Sequence, residues 1–236
     1  MKANALSEIG FVRKENEDNY LVSTEKGLFV VADGMGGHEG GRLASGITIK
    51  ILDDSIILPD KDIDCPKVLL DALTKANKLI ISRGREEDYP VIGTTVTAAL
   101  FHLETLYIAH IGDSRAYLFR KGSLKLLTQD HSLVNELFQK GGLTLEEAQN
   151  HPQRNILTRA LGTEPEPQID LLEISVQAGD ELLLCTDGLY NLVSDEEIHS
   201  IIDNDDVLKV KVDSLIKKAL ERGGNDNITA MLIQYE

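Results

Sequence analysis

Short runs of aliphatic and β-branched residues occur along most of the chain, and their order constrains the fold more than any other sequence feature. Turn residues bound several of these runs, as expected for β-strands. Two helical patterns stand together after the second run, so the order is not the regular alternation of a doubly wound parallel sheet. We therefore predict an α+β protein of antiparallel sheets covered by helices. The predicted strands are residues 19–23, 28–32, 94–103, 105–111, 116–120, 169–176, 181–185 and 228–235.

Four segments have the residue spacing of amphipathic helices. In the second, Leu69, Leu73 and Ala76 recur at intervals of three and four residues, which places them on one helix face. The third is preceded by Ser194, a favourable N-cap, with Glu197 three residues later, the pattern of a capping box. The predicted helices are residues 42–54, 66–83, 195–202 and 206–222.

The charge of the chain excludes two classes of partner. The sequence has 24 Lys and Arg against 39 Asp and Glu, a formal net charge of −15. Nucleic acids and anionic membranes require clustered basic residues, so we expect neither as a partner. The first residues lack the apolar segment of a signal peptide, and no apolar run approaches the roughly 18 residues of a membrane span. We therefore expect a cytoplasmic protein.

The length and texture of the sequence predict one domain with an insertion. A chain of 236 residues can bury a single large core, so we expect one domain over residues 1–236. Residues 131 to about 167 differ from the rest, with short amphipathic pieces, Gly141, Gly142 and three prolines. We interpret this segment as an insertion over one face of the domain. Cys65 and Cys185 form neither a disulfide framework nor a zinc-binding pattern.

A glycine-rich segment after the second predicted strand is the strongest local motif. The strand is expected to end at Asp33, and five of the next eight residues are glycine. The segment lacks the Lys-Ser/Thr pair of a P-loop, and Glu39 stands where a dinucleotide-binding fingerprint needs its third glycine. A carboxylate beside a collapsed glycine-rich backbone instead offers the oxygen ligands that hard divalent cations require. A flexible turn without a ligand is the alternative.

Three more aspartates stand in turns beside predicted strands. Asp187 follows residues 181–185, Asp113 follows residues 105–111, and Asp226 precedes the last strand. A single aspartate in a turn is usually a turn former. If the sheets stack, however, all four carboxylates can meet in one acidic pocket, where divalent cations are the natural counter-charge.

Arg13 adds a function that a cation site alone lacks. It lies in the charged segment of residues 13–18 near the start of the chain. A guanidinium beside several carboxylates and their cations is the expected ligand of a phosphate group, which it can bind through two parallel hydrogen bonds. An exposed charged turn would be the default interpretation if the acidic motifs were absent.

Taken in order, these motifs resemble the metal-dependent protein phosphatases of the 2C type (PPM), and in particular their compact bacterial members. The resemblance implies a four-layer αββα sandwich that binds two Mn²⁺ or Mg²⁺ ions at one end, beside a variable flap at residues 131–167. The matching segments cover nearly the whole chain: residues 13–18 (RKENED), 33–38 (DGMGGH), 93–95 (GTT), 112–115 (GDSR), 130–132 (DHS), 155–162, 186–188 (TDG) and 226–228 (DNI).

The family pattern also implies individual roles. Asp33 bridges both ions and the Gly34 carbonyl binds one of them, while Asp187 and Asp226 complete the inner ligands. Glu17 acts largely through water, and Asp113 helps to bind a third, weaker ion.

The mechanism that this resemblance implies is attack on phosphorus by a hydroxide that bridges the two cations. Arg13 orients the phosphate. The leaving serine or threonine alkoxide needs a general acid. Eukaryotic members carry a His directly after the Asp-Gly pair, where this chain has Met35. His38 is the nearest candidate acid, and a structural role for it is the alternative.

The implied substrates are phosphoserine and phosphothreonine in proteins, and the implied partner is a Hanks-type Ser/Thr kinase that the enzyme opposes. We expect a monomer. Three other functions compete: a catalytically weak binding module of the same fold, a phosphatase of small metabolites, and a sporulation-type phosphatase. The first would lack a ligand or Arg13, and both are present. Activity on a phosphopeptide compared with activity on sugar phosphates would distinguish the second from a protein phosphatase. The third usually carries sensory or membrane segments, and none is evident in this sequence.

Overall fold

The computed structural model describes residues 1–37, 39–57, 63–87, 89, 91–144, 147 and 151–236, and it contains two antiparallel sheets. The five-stranded sheet has the order β1 (Lys2–Glu8), β11 (Ile228–Gln234), β10 (Glu181–Cys185), β7 (Arg115–Arg120) and β8 (Ser123–Leu126). The six-stranded sheet has the order β2 (Asp18–Ser23), β3 (Leu28–Met35), β5 (Val96–His102), β6 (Thr105–Ile111) and β9 (Asp170–Ser175), and the short β4 (Gly93–Thr94) also pairs with β3.

Helices cover the outer face of each sheet. Residues of α1 (Glu39–Ser55) and α2 (Cys65–Glu86) pack on the six-stranded sheet, and residues of α4 (Asp187–Tyr190), α5 (Asp195–Ile202) and α6 (Leu208–Glu221) pack on the five-stranded sheet. The remaining helix, α3 (Leu133–Gln139), lies in the region predicted to be an insertion. Within the described part of the chain, none of the helices is long and apolar enough to cross a lipid bilayer.

The central strands are apolar on both faces, which explains the four layers. On β3, Leu28 and Val30 belong to the core under α1 and α2, whereas Phe29 and Val31 belong to the core between the sheets. Because successive side chains point to opposite faces of a strand, a continuous apolar run can serve two cores at once. Cys185 lies in the core under α4–α6, as expected of a small buried hydrophobic residue. The predicted αββα sandwich is confirmed.

Most predicted elements are present, and several boundaries agree. The strands at residues 105–111 and 181–185 and the helix at residues 195–202 are confirmed with the predicted bounds. The capping box also forms: the Ser194 hydroxyl accepts a hydrogen bond from the Glu197 amide, and the Glu197 carboxylate accepts one from the Ser194 amide.

Two predicted details of the glycine-rich region are wrong. Strand β3 continues past Asp33 to Met35, so Asp33 lies within the strand and not at its end. Helix α1 starts at Glu39, three residues before the predicted start at residue 42, and contains Gly40 and Gly41. The glycines are needed where α1 approaches β3, because a Cβ on Gly41 would lie 2.7 Å from the Gly34 carbonyl oxygen.

Among the described elements, β1, β8, α3 and α4 were not predicted, and the single strand predicted at residues 94–103 is divided into β4 and β5. Strand β1 has the sequence KANALSE, which lacks a clear apolar alternation, and it pairs with β11 along seven residues, from Lys2 opposite Gln234 to Glu8 opposite Ile228. Its position therefore depends on backbone pairing with a distant strand. The two helices are short, four residues for α4 and seven for α3, and give little periodicity.

The core between the sheets should contribute strongly to stability. Phe29 is 0% exposed there, so Phe29→Ala should lower the free energy of unfolding by about 3–5 kcal/mol. Phe11→Ala is the matched control, because Phe11 is 72% exposed and the same substitution should cost less than about 1 kcal/mol. Urea denaturation of both variants without metal measures the difference, and equal losses would contradict the assignment of this core.

Candidate active site

Five aspartates from both sheets meet at one end of the sandwich. Asp33 on β3 lies opposite Asp18 on β2, and Asp113 follows β6 in the same sheet. From the other sheet, Asp187 follows β10 and begins α4, and Asp226 precedes β11. Each of Asp18, Asp113, Asp187 and Asp226 acts electrostatically on Asp33. The predicted convergence of the acidic motifs is present.

Burial and mutual repulsion disfavour the charged forms of these carboxyl groups. Burial raises the pKa of Asp33 well above its ordinary value, and the nearby charge of Asp18 raises this pKa further. Burial followed by the charge of Asp113 has the same effect on the pKa of Asp187. Burial raises the pKa of Asp18 to about 6 and that of Asp113 to about 7. Without a counter-charge, this end of the molecule therefore retains protons near neutral pH.

Backbone hydrogen bonds fix the position of Asp33. Its amide donates to the Thr95 hydroxyl at 3.0 Å, and its carbonyl accepts from the Thr95 amide at 2.9 Å and from the Thr94 hydroxyl at 2.9 Å. The Thr95 hydroxyl also lies 2.7 Å from the Ser114 hydroxyl, next to Asp113 in the chain. The two threonines therefore join the strand that carries Asp33 to the turn that carries Asp113.

Glycines allow the site's backbone segments to approach closely. A Cβ on Gly34 would lie 2.1 Å from the Gly41 carbonyl oxygen and 2.8 Å from that of Glu17. The Glu17 carbonyl accepts hydrogen bonds from the Gly34 amide and the Ser45 hydroxyl. Next to Asp187, a Cβ on Gly188 would lie 2.0 Å from the Asn227 carbonyl oxygen. Any larger residue at these positions would separate the segments that carry the carboxylates.

Asp18 is a site residue that the sequence analysis did not single out. It is buried, and one of its oxygens accepts hydrogen bonds from the Thr186 hydroxyl at 2.8 Å and the Thr229 hydroxyl at 2.6 Å. It therefore links β2 to the two strands that bring Asp187 and Asp226. Its place before the predicted strand at residues 19–23 could have revealed it, because Asp226 was identified by its place shortly before the last predicted strand.

Arg13 reaches the acidic cluster from a loop at the start of the chain. Its guanidinium donates to the Asp226 carboxylate at 2.7 Å and is about half exposed. The loop is held by Asn227, whose side-chain amide donates to the carbonyls of Ile9 and Glu15 and accepts from the Glu17 amide. Arg13 is thus placed beside the carboxylates, as predicted.

The turn that carries Asp113 is supported from the opposite side. The Tyr190 hydroxyl donates to the Asp113 carbonyl at 3.0 Å, and the Arg115 guanidinium lies 3.7 Å from the centre of the Tyr190 ring. Arg115 also binds the Asp130 carboxylate through two nitrogens. These contacts tie the turn to α4 and to the start of the insertion.

A cleft of about 810 Å³ opens beside the acidic cluster. Asp113 and Asp187 lie on its wall together with Asn135 and Phe138 of α3 and with Arg154. One side of the cleft therefore comes from the acidic centre and the other from residues within 131–167.

The chemistry of the site fits divalent cations. One buried oxygen of Asp18 and one of Asp187 have no hydrogen-bond partner, although both lie among other carboxylates. Within the described ranges, no three His, Cys, Asp or Glu side chains are close enough to hold one ion by themselves. Carboxylate and carbonyl oxygens together with water are the ligands that Mg²⁺ usually takes, and this end of the molecule offers both kinds of protein oxygen.

The structure brings together Arg13, Asp33, Asp113, Asp187 and Asp226, as the sequence predicted. Glu17 and Gly34 lie beside them, joined through the hydrogen bond from the Gly34 amide to the Glu17 carbonyl at 3.2 Å. The candidate acid His38 lies outside the described residues.

The pKa of Asp113 predicts a pH-dependent stability of the metal-free protein. Because this pKa is raised to about 7 in the folded state, the group stabilises the fold fully below its unfolded pKa, and this contribution is lost as the pH rises through about 7. In EDTA, the melting temperature should fall between about pH 4 and about pH 7. Asp113→Asn should flatten this fall, because asparagine does not ionise.

Thermal melts of the wild type and Asp113→Asn in EDTA test this prediction across that range. Asp205→Asn, at an exposed aspartate before α6, is the control and should retain the wild-type slope. An Asp113→Asn variant with an unchanged slope would contradict the prediction.

Comparison with known proteins identifies the family. Residues 13–232 match the family model described as Protein phosphatase 2C. The chain is 39% identical to the serine/threonine phosphatase stp of Listeria welshimeri, over 99% of this chain and 96% of that protein. The crystal structure of the Mycobacterium tuberculosis serine/threonine phosphatase PstP/Ppp has a TM-score of 0.93 and 38% identity, covering 100% of this chain and 98% of that one.

A second solved structure adds a metal. The catalytic domain of the serine/threonine protein phosphatase PstP, solved in complex with two manganese ions, has a TM-score of 0.89 and 36% identity, and the alignment covers 98% of this chain and 96% of that one. The family match, the identity over nearly the full length and the shared fold agree with the acidic site described above. The chain belongs to the protein phosphatase 2C family of metal-dependent serine/threonine protein phosphatases.

Proposed function

We propose that this chain hydrolyses phosphoserine and phosphothreonine in proteins, using two Mn²⁺ or Mg²⁺ ions held by the acidic cluster. The observation that carries the proposal is the convergence of carboxylates from both sheets beside Arg13. Carboxylates alone would describe a cation site, and a guanidinium alone a surface ion pair. Their combination suits a phosphate ester, which needs both metal ions and a directed hydrogen-bond donor.

Each candidate ligand has a proposed role. Asp33, in the centre of the cluster, would bridge the two ions, and the Gly34 carbonyl would bind one of them. Asp187 and Asp226 would bind from the five-stranded sheet, and Glu17 would act through water. Asp113 would take part in binding a third ion. The oxygen of Asp187 that lacks a hydrogen-bond partner supports its role as a ligand.

The bound ions would supply the nucleophile, by lowering the pKa of a coordinated water, and would offset negative charge on the phosphoryl group. Arg13 would bind and orient the phosphate, and its exposed guanidinium could exchange the Asp226 carboxylate for phosphate oxygens. Asp18 would hold β2 against the Thr186 and Thr229 hydroxyls. His38 remains the candidate, on sequence grounds alone, for the general acid that would donate a proton to the leaving alkoxide.

The relatives and the composition of the chain support a proposal for its substrate, its location and its partner. Relatives named serine/threonine phosphatase and protein phosphatase support phosphoproteins as substrates. We further propose that residues 1–236 act as one monomeric cytoplasmic domain with a flap at residues 131–167, and that a Hanks-type Ser/Thr kinase makes its substrates. The alternatives are a binding module with little activity and a phosphatase of small metabolites.

Metal dependence and Asp187 provide the first test. Hydrolysis of a phosphothreonine peptide should be absent in EDTA and appear with Mn²⁺ or Mg²⁺. Asp187→Asn should lower kcat/KM by at least about 100-fold and weaken Mn²⁺ binding measured by calorimetry, because an amide binds a cation more weakly than a carboxylate. Asp54→Asn, at an exposed aspartate of α1, should retain both. A folded wild-type protein that stays inert with every metal would favour the binding module.

Arg13 gives a separate test of phosphate binding. Arg13→Ala should lower kcat/KM for the peptide by about 10- to 100-fold, mainly through KM, since it removes a charged hydrogen bond. The kcat/KM of Arg13→Lys should lie between that of the wild type and that of Arg13→Ala, because lysine keeps the charge and loses the paired donors. Lys14→Ala controls for a general loss of positive charge on this loop. Equal effects of Arg13→Ala and Lys14→Ala would contradict a specific role for Arg13.

A further inference from the structure

The two residues directly before Arg13 in the sequence have large apolar side chains that are exposed to solvent. Phe11 is 72% exposed and Val12 is 64% exposed. We call these two residues the Phe11–Val12 lip. Single exposed apolar residues are common on protein surfaces, whereas adjacent ones beside a candidate active site form a small apolar surface that a ligand can contact.

The backbone holds this lip in place. The Phe11 amide donates to the Gly224 carbonyl at 2.8 Å, and a Cβ on Gly224 would lie 3.2 Å from the Phe11 ring, so the ring lies beside that turn. Gly10 has a φ of +75°, and a Cβ there would lie 2.3 Å from the Asp226 carbonyl oxygen. The lip is therefore packed against the turn that carries Asp226, with its outer surface free to bind.

The position of the lip next to Arg13 indicates which part of a substrate would contact it. Arg13 follows Val12 in the chain, and its guanidinium reaches Asp226 in the acidic cluster. A phosphate bound by Arg13 would thus bring the residues that flank the phosphorylated residue next to the lip. In an extended peptide, side chains two residues apart lie on one face about 7 Å from each other, so a residue close in sequence to the phosphorylated one can face the lip.

The charge of the protein argues for an apolar flanking residue over an acidic one. The chain carries a formal net charge of −15, and five aspartates lie at the site itself. An acidic flanking residue would be repelled, whereas an aliphatic side chain would remove apolar surface of the lip from water.

We propose that the Phe11–Val12 lip is a specificity-determining surface that binds an apolar side chain flanking the phosphoserine or phosphothreonine of a protein substrate. The proposal rests on the proposed function and narrows its substrate class. Small phosphorylated metabolites have no flanking residue and would gain nothing from the lip.

Matched phosphothreonine peptides test the lip. Each has leucine or serine at one position, within two residues on either side of the phosphothreonine. The wild type should prefer leucine at one or more positions by at least about fivefold in kcat/KM. The double variant Phe11→Ser, Val12→Ser should lose this preference to within about twofold. The measured quantity is the leucine-to-serine ratio within each variant, so a general change in activity or metal content cancels.

Leu103→Asn is the matched control. Leu103 is also 64% exposed, and β6, which spans about 20 Å, separates it from the turn that carries Asp113. Its positive φ of 53° suits asparagine. This variant should keep the wild-type leucine preference.

The outcomes separate the lip from the proposed function. A wild type that hydrolyses leucine and serine peptides equally overturns the lip and leaves the phosphatase function in place. A leucine preference that survives in the double variant also overturns it. A protein that hydrolyses p-nitrophenyl phosphate with Mn²⁺ but none of the peptides overturns both the lip and the protein-phosphatase function.

Discussion

Repulsion among buried carboxylates is the constraint on which the rest of this structure depends. Asp18, Asp33 and Asp113 come from one sheet, and Asp187 and Asp226 come from the other. Burial and mutual repulsion oppose this approach, because they raise the pKa of Asp33 and Asp187 well above the ordinary value. The apolar core between the sheets, together with the hydrogen bonds of Asp18 to Thr186 and Thr229, offsets this repulsion in the absence of metal.

Several polar groups around the cluster act on its backbone. Thr94 and Thr95 bond to the backbone of Asp33, and Asn227 bonds to the backbone of the loop that carries Arg13. Other contacts use the carboxylates: Asp18 accepts two threonine hydroxyls and so joins the two sheets directly, and Asp226 accepts the Arg13 guanidinium. One buried oxygen of Asp18 and one of Asp187 still lack a hydrogen-bond partner, which leaves them available to a cation.

Local sequence patterns predicted the layers well and the site only in part. Strands such as residues 28–32 are apolar throughout because both faces are buried, and this signal is contained within the strand itself. Strand β1 is defined by pairing with β11 at the far end of the chain, which no local pattern records. Asp33 was assigned to a strand end because glycines usually end strands, but Gly34 continues β3 by pairing with Thr94. The sequence analysis does not single out Asp18, because its hydrogen-bond partners lie more than 160 residues away along the chain.

Asn227 joins the loop that carries Arg13 to the turn that carries Asp226. Its side chain binds Ile9, Glu15 and Glu17 while its neighbour Asp226 binds Arg13, so the loop of residues 9–17 and the start of β11 form one unit. The phosphate contact and the Phe11–Val12 lip both lie on this loop. Within it, Phe11 and Val12 direct their side chains largely to water, whereas the backbone makes the contacts that fix the loop. Substitutions in the lip can therefore alter which flanking residues are accepted without moving the carboxylates, because the hydrogen bonds that position Arg13 do not pass through the lip side chains.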